Sequence, residues 1–152
     1  MIKIQKSGTA DTRTCDWTDV SKSKLAISSK QHIDDVRLGI LFFINEMYKA
    51  SAIHDNTKLT EIDMFHQDFK TGFESTKWWE LHQKTERHHL KDPQYVQDDV
   101  NLIDIIEMIT DGVMAGIARN GEYRKEEISN ELLRKAFDNT ISLLLTNVEL
   151  TN

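Results

Sequence analysis

Apolar residues recur at intervals of three and four along most of this chain. The segments with this spacing are 31–51, 60–72, 76–90, 99–119 and 125–147. At 3.6 residues per turn, the spacing places the apolar side chains on one face of an α-helix, where other helices can cover them. The pattern therefore predicts an all-α protein, a compact bundle of five or more helices joined by short connections and with essentially no sheet.

The expected burial and the expected helix ends follow from the same pattern. In the first helix, we expect the buried stripe to include Ile33, Val36, Ile40 and Ile44. Pro93 ends the third helix, because proline lacks a backbone N–H and cannot continue it. The predicted N-terminal caps are Ser28 or Ser29, Thr60, and Asp98 or Asp99.

The length of the chain indicates a single domain. At 152 residues, it can bury roughly 68–70% of its unfolded surface, which is enough for a core. Residues 1–24 are the least regular part, and we interpret them as an N-terminal arm on a helical domain that spans 25–152. We expect Trp17 to pin this arm to the domain; the alternative is that it lines a substrate pocket.

Composition and charge exclude several classes of protein. The formal net charge of -6 argues against broad nucleic-acid binding, which needs a basic surface. The single cysteine, Cys15, cannot form an internal disulfide, so a reducing compartment is expected. We find no signal peptide and no stretch long enough to span a membrane. These features predict a cytoplasmic protein, in the host cytoplasm if a phage encodes it.

Most of the histidines stand where they can form a metal site. His54 is followed directly by Asp55, and together they offer an imidazole nitrogen and a carboxylate oxygen. Such ligands suit Mn, Fe, Co, Ni or Zn better than Ca or Mg. Taken alone, the pair is more typical of a structural or surface role than of a metal site. The side chains that could complete a site are His32, His82, His88, His89 and Asp111.

Three acidic residues of the fourth helix fall near one face. Asp104, Glu107 and Asp111 are spaced three and four apart. For Asp104 and Glu107, the main interpretation is a solvated helix face, with the orientation of histidine ligands as the alternative. Asp111 differs because the small residues Gly112, Ala115 and Gly116 follow it, so another helix can approach closely there.

The order His32, His54-Asp55, Asp111 resembles the HD superfamily of metal-dependent phosphohydrolases. His54-Asp55-Asn56-Thr57-Lys58 also matches the HDxxK form found in HD-GYP phosphodiesterases and di-iron HD oxygenases. The combined pattern HDxxK…HQK…RHH…EMxxD is similar to that of a small HD-like family from phages and bacteria. The resemblance runs from His32 to Gly116, although the chain has no GYP motif and His82 lies close to His88.

The resemblance implies an all-helical HD-like fold whose ligands converge from several helices on one or two divalent transition-metal ions. The implied ligands are His32, His54, Asp55, His82, His88, His89 and Asp111, and which of His82, His88 and His89 bind is left open. Asp55, Lys58 and Arg87 would be the catalytic residues. Lys58 and Arg87 would contact phosphate oxygens, or alternatively form surface salt bridges.

The implied activity is hydrolysis of a nucleotide or another small phosphoester by a metal-activated water. The alternatives are a di-iron oxygenase, or a non-catalytic phage accessory protein that binds a metal or a nucleotide. We expect no membrane partner and no broad nucleic-acid binding. A homodimer is possible, with the helix over 125–147 covering the core or forming the dimer surface.

Overall fold

The computed structural model describes residues 1–123, 125 and 127–151. In this part of the chain, the all-α prediction with five or more helices is confirmed. The helices are α1 (Lys22–Ile53), α2 (Thr57–Thr60), α3 (Ile62–Lys70), α4 (Trp78–Thr85), α5 (Leu102–Asn120) and α6 (Asn130–Thr146). The strands are β1 (Ile2–Gln5) and β2 (Val148–Thr151), and Thr12–Thr14 forms a short 3-10 turn. None of the described helices has the length and apolar character that spanning a membrane requires.

The chain divides into two compact units, Met1–Glu46 with Ile141–Asn152, and Met47–Thr140. In the first unit, β1 and β2 form a two-stranded parallel sheet with Ile2 opposite Val148. The two ends of the chain are therefore joined by backbone hydrogen bonds. The boundary predicted after residue 24 falls inside this unit, in the first turn of α1.

Helix α1 is longer than the sequence pattern predicts, and it begins at Lys22 rather than after the proposed caps Ser28 and Ser29. Ser28 is instead fully buried and lies 3.3 Å from Cys15 through its hydroxyl oxygen. The predicted burial of its apolar stripe is wrong for the isolated chain. Five aliphatic side chains on one face are each 41–55% exposed, namely Leu25, Ile33, Val36, Ile40 and Ile44. Trp17 is 89% exposed, so it does not pin the arm.

The second unit has a core between α5, α6 and the segment that joins α4 to α5. Its buried members are Leu90, Val100, Ile105, Met108 and Ala136. Burying an aliphatic side chain of this size contributes about 1.5–3 kcal/mol. Because Leu90 is only two positions beyond His88, this core also anchors the irregular segment that carries His88 and His89.

The start of α5 differs from the prediction. Asn101, not Asp98 or Asp99, caps the helix, and its side chain accepts a hydrogen bond from the N–H of Ile103. The carboxylate of Asp104 accepts one from the N–H of Asn101 at 2.8 Å, which completes a capping box. Asp104 is therefore buried, and its assignment to a solvated face is wrong.

The region between α1 and α5 contains shorter helices than predicted. Thr60 is the last residue of α2 rather than a cap, and α3 begins at Ile62. Helix α4 ends at Thr85, well before Pro93, so His88 and His89 lie outside it. Because the two histidines are not part of a helix, their side chains need not point about 100° apart as adjacent helical side chains do.

Candidate metal centre

The His-Asp pair lies in the turn that follows α1. Asp55 has a φ of 54°, in the left-handed region that aspartate adopts more readily than most residues. This conformation is common just after the last helical residue, where it ends the helix and turns the chain. The turn leads at once into α2, which begins at Thr57. Asp55 thereby lies between the long helix α1 and the short helix α2.

Three imidazole nitrogens surround the carboxylate of Asp55. Its Oδ1 lies 3.4 Å from Nε2 of His82 and 3.6 Å from Nε2 of His88. Its Oδ2 lies 3.6 Å from Nε2 of His54. Two groups of potential ligand atoms result, His54–Asp55–His88 and Asp55–His82–His89, and Asp55 belongs to both.

The geometry of these groups fits a transition-metal ion. Two ligands that each lie roughly 2.0–2.1 Å from one ion are about 2.9–3.4 Å apart at coordination angles between 90° and 109°. The distances from Asp55 to the three Nε2 atoms are at or slightly above that range. Oδ1 of Asp55 is also buried without a hydrogen-bond partner among the described residues. A cation between the groups would satisfy this oxygen, which is otherwise costly to bury.

Glu107 of α5 sets the orientation of two histidines. Its Oε1 lies 2.9 Å from Nδ1 of His54 and 3.2 Å from Nδ1 of His88. Since a carboxylate accepts hydrogen bonds, the protons belong on Nδ1, and the Nε2 lone pairs face Asp55. Burial raises the pKa of Glu107, but hydrogen bonds with His88 and His54 outweigh it, so the net pKa is lowered. The solvated-face interpretation of Glu107 is wrong, and the alternative role next to the histidines is the one observed.

A second chain of hydrogen bonds orients His82. The hydroxyl of Thr57 donates to Oε1 of Glu86 at 2.6 Å, so its oxygen can accept from Nδ1 of His82, also at 2.6 Å. This leaves the Nε2 lone pair of His82 directed towards Asp55. The ring is further held by stacking on Trp78, at a centroid distance of 4.7 Å. Sequence reasoning missed Thr57 and Glu86, since 29 residues separate them and no regular spacing links the two.

His89 completes the second group. Its Nε2 lies 2.8 Å from Nε2 of His82, a separation that suits two ligands of one ion at an angle near 90°. Burial, together with the neighbouring His88 and His82, lowers the pKa of His89 to about 3. Burial also lowers the pKa of His82. Both rings are thus neutral near pH 7, the form in which imidazole binds metals.

His88 behaves differently, because it faces more acidic groups. Burial opposes its protonation, but Glu107, Asp55 and Asp111 outweigh burial and raise its pKa. This concentration of negative charge around a buried imidazole is the electrostatic setting that a cation would stabilise.

Two predicted ligands lie apart from these groups. His32 belongs to the first unit, where its Nδ1 is 3.2 Å from a carboxylate oxygen of Asp11, and it is in neither ligand group. Asp111 is in neither group of three, although its Oδ1 lies 3.8 Å from Nε2 of His54. Asp111 therefore borders the centre, whereas His32 has another partner.

The two predicted phosphate contacts have different surroundings. The ammonium of Lys58 pairs with Oδ2 of Asp55, and its side chain is 40% exposed. The guanidinium of Arg87 instead makes two hydrogen bonds with Asp104, at 2.8 and 2.9 Å, and further ones with Asp99. All three nitrogens of Arg87 are thus engaged in holding the start of α5, which is a structural contact.

No protein-family model matches the chain, and no curated protein sequence or solved structure is significantly similar to it. The likeness to HD phosphohydrolases consequently stays a prediction from the motif. The geometry of the histidines and Asp55 stands independently of it.

Proposed function

We propose that this protein is a metal-dependent phosphohydrolase that acts on a small phosphoester. The observation that carries the proposal is Asp55, whose carboxylate belongs to both groups of histidines and has one buried oxygen, Oδ1, without a hydrogen-bond partner among the described residues. Hydrogen bonds at Nδ1 already fix the tautomers of His54, through Glu107, and of His82, through Thr57. Such support is typical of metal ligands and is not needed for surface histidines.

The ligands in this proposal are His54, Asp55, His82, His88 and His89. Their imidazole and carboxylate donors suit Mn, Fe, Co, Ni or Zn, and the two groups can hold one or two ions. His32 and Arg87 are left out, because each is engaged elsewhere.

A bound divalent ion would supply a water of lowered pKa and positive charge opposite the phosphoester. The chain's own contribution is positioning. Lys58 would place its partly exposed ammonium beside the reacting phosphoryl group, where it can donate to an oxygen. Asp111 borders His54 and is partly exposed, so its carboxylate can accept a proton at the edge of the centre.

The test is hydrolysis of a panel of phosphomonoesters, phosphodiesters and nucleotides by protein loaded with each metal in turn. We expect His88→Ala to lower kcat/KM by about 100-fold or more. His66→Ala is the matched control, because His66 is an exposed histidine outside both ligand groups. Equal activity of the two variants would contradict the proposed centre.

A di-iron oxygenase is the second candidate, because the shared carboxylate of Asp55 links two histidine groups as a two-metal site would require. Iron content and oxygen consumption separate the two activities. Oxygen uptake by iron-loaded protein, together with no turnover of any phosphoester, would favour the oxygenase.

A further inference from the structure

A mainly apolar groove opens beside His54 in the second unit. Its volume is about 380 Å³, within the range of small-molecule sites. The apolar part of its wall comes from the end of α1 and from one face of α5. The side chains that form this part are Met47, Ala50, Ile103, Ile106 and Met114.

The wall offers no hydrogen-bond donor that is not already used by the protein. Ser51 and Thr110 are the neutral polar side chains that line the groove. The hydroxyl of Ser51 donates to the carbonyl of Tyr48 at 2.8 Å, and that of Thr110 donates to the carbonyl of Ile106 at 2.7 Å. Neither lysine nor arginine is among the lining residues. The groove therefore suits neither a phosphate nor a polar ring.

Part of the groove wall belongs to the candidate metal centre. His54, Glu107 and Asp111 line it together with the apolar residues. A ligand whose phosphoryl group lay at Asp55 and Lys58 could extend its ester group along the apolar wall. The charged lining residues are thus those that border the metal centre, and the other lining residues are apolar or carry hydroxyls that already bond to the backbone.

We propose that the groove binds the alkyl or aryl ester group of a phosphorylated substrate, a deepening that rests on the phosphohydrolase proposed above. A nucleobase is disfavoured, because its ring nitrogens and carbonyl oxygens would lose water without gaining a donor from the lining side chains. An alkyl or aryl group gives up no hydrogen bonds when it enters the groove, and its binding free energy becomes more favourable with each methylene removed from water. The substrate class is therefore an alkyl or aryl phosphoester rather than a nucleotide.

The test uses n-alkylphosphonates from methyl to hexyl, phenylphosphonate and a nucleoside monophosphate as probes of the metal-loaded protein. Phosphonates are not hydrolysed, so their binding does not depend on turnover. We expect Kd to fall about 3-fold for each added methylene. The ¹³C-methyl signals of Met47 and Met114 should shift with the longer probes. Affinity that is independent of chain length, or tighter binding of the nucleotide, overturns the proposal.

Two variants address the groove directly. Ala50→Phe should fill the groove, so that Kd no longer depends on the length of the alkyl chain. Ala52→Phe is the matched control, since Ala52 is an exposed alanine near by on the same helix and does not line the groove. Met114 is 63% exposed, so Met114→Gln can be accommodated by the fold and should weaken hexylphosphonate binding.

The outcomes also separate this inference from the phosphohydrolase proposal. Chain-length-dependent phosphonate binding without hydrolysis of any phosphoester would support the groove and contradict the activity. Hydrolysis that proceeds equally well with methyl and hexyl esters would support the activity and overturn the groove. Methionine signals that respond to protein concentration and not to phosphonates would mean that a second copy occupies the groove, which also overturns the inference.

Discussion

At the scale of single residues, the carboxylate of Asp55 is where the two histidine groups meet. The motif identified this residue, because His54 directly precedes it and His82, His88 and His89 follow further along the sequence. The sequence could not reveal the hydrogen bonds that set each ring, such as Thr57 to Glu86, because they join segments without regular spacing. It also suggested His32, which has Asp11 as its partner instead.

Glu107 supports a prediction at this scale. Glu107→Gln would replace the carboxylate that accepts from His54 and His88, so metal affinity should fall by about 10- to 100-fold. Calorimetric titration with the preferred ion measures the loss. Glu80→Gln is the control, because Glu80 is an acid whose partner is Lys84 on the same helix, and it should leave affinity unchanged. Equal affinities in both variants would remove the role assigned to Glu107.

At the scale of elements, helix ends are where the sequence pattern was least informative. Helix α4 ends at Thr85, although the sequence predicted a helix that continues to residue 90. Tertiary contacts account for the difference: Glu86 binds Thr57, and Arg87 binds Asp104. Glu86 has an extended backbone conformation, so it and Arg87 make these contacts from outside the helix. No local propensity encodes them.

Arg87 tests this account of the α4–α5 connection. Arg87→Ala would leave the buried carboxylate of Asp104 without its partner and should destabilise the protein by about 2 kcal/mol. A structural role predicts lower thermal stability with an unchanged KM for the substrate. Denaturation and steady-state kinetics measure the two effects. A raised KM at unchanged stability would instead restore the phosphate contact that the sequence suggested.

The start of α4 depends on Asp68, which is fully buried at the end of α3. Its carboxylate accepts hydrogen bonds from the backbone N–H groups of Thr76 and Trp78, the latter at 2.7 Å. Burial raises the pKa of Asp68, but these hydrogen bonds outweigh it and lower the pKa to about 2 from an ordinary value of 3.8. The unfolded chain thus binds the proton more tightly than the folded one.

A pH dependence follows from that difference. The stability due to Asp68 is fully present above about pH 4 and is lost as the pH falls towards 2. Asp68→Asn should lower Tm by roughly 5 °C at neutral pH, and its difference from wild type should shrink on acidification. Scanning calorimetry from pH 7 to 2 measures this, with Asp63→Asn on the exposed side of α3 as control. A constant difference across that range would refute the role of Asp68.

At the scale of the whole molecule, the all-α class followed from periodicity, but the burial of α1 did not. The stripe formed by Leu25, Ile33, Val36, Ile40 and Ile44 has the helical spacing of a buried face and yet is about half exposed. Such a stripe covers several hundred Å², the size of the largest apolar patch on a typical monomer. Apolar periodicity predicts that one face of a helix is buried. It does not predict whether that face is buried by the same chain or by another molecule.

We propose that a second copy of the chain covers this stripe, because an unpartnered apolar helix face of this kind is typical of a protein–protein contact. Light scattering should give twice the chain mass of 17.6 kDa. Ile40→Asp should shift the protein towards the monomer, because it places a charge in the covered face. Asn45→Asp adds the same charge to an exposed position elsewhere on α1 and should remain dimeric. A monomeric wild type would contradict the proposal.

The most direct test of the metal centre is metal content by mass spectrometry. The protein is purified without chelator or histidine tag and equilibrated with Mn, Fe, Co, Ni or Zn. We predict at least one ion per chain in the wild type, two if both groups are filled, with loss in Asp55→Ala and retention in His32→Ala. A wild type that stays metal-free in every ion, or an Asp55→Ala variant with wild-type content, would contradict the account.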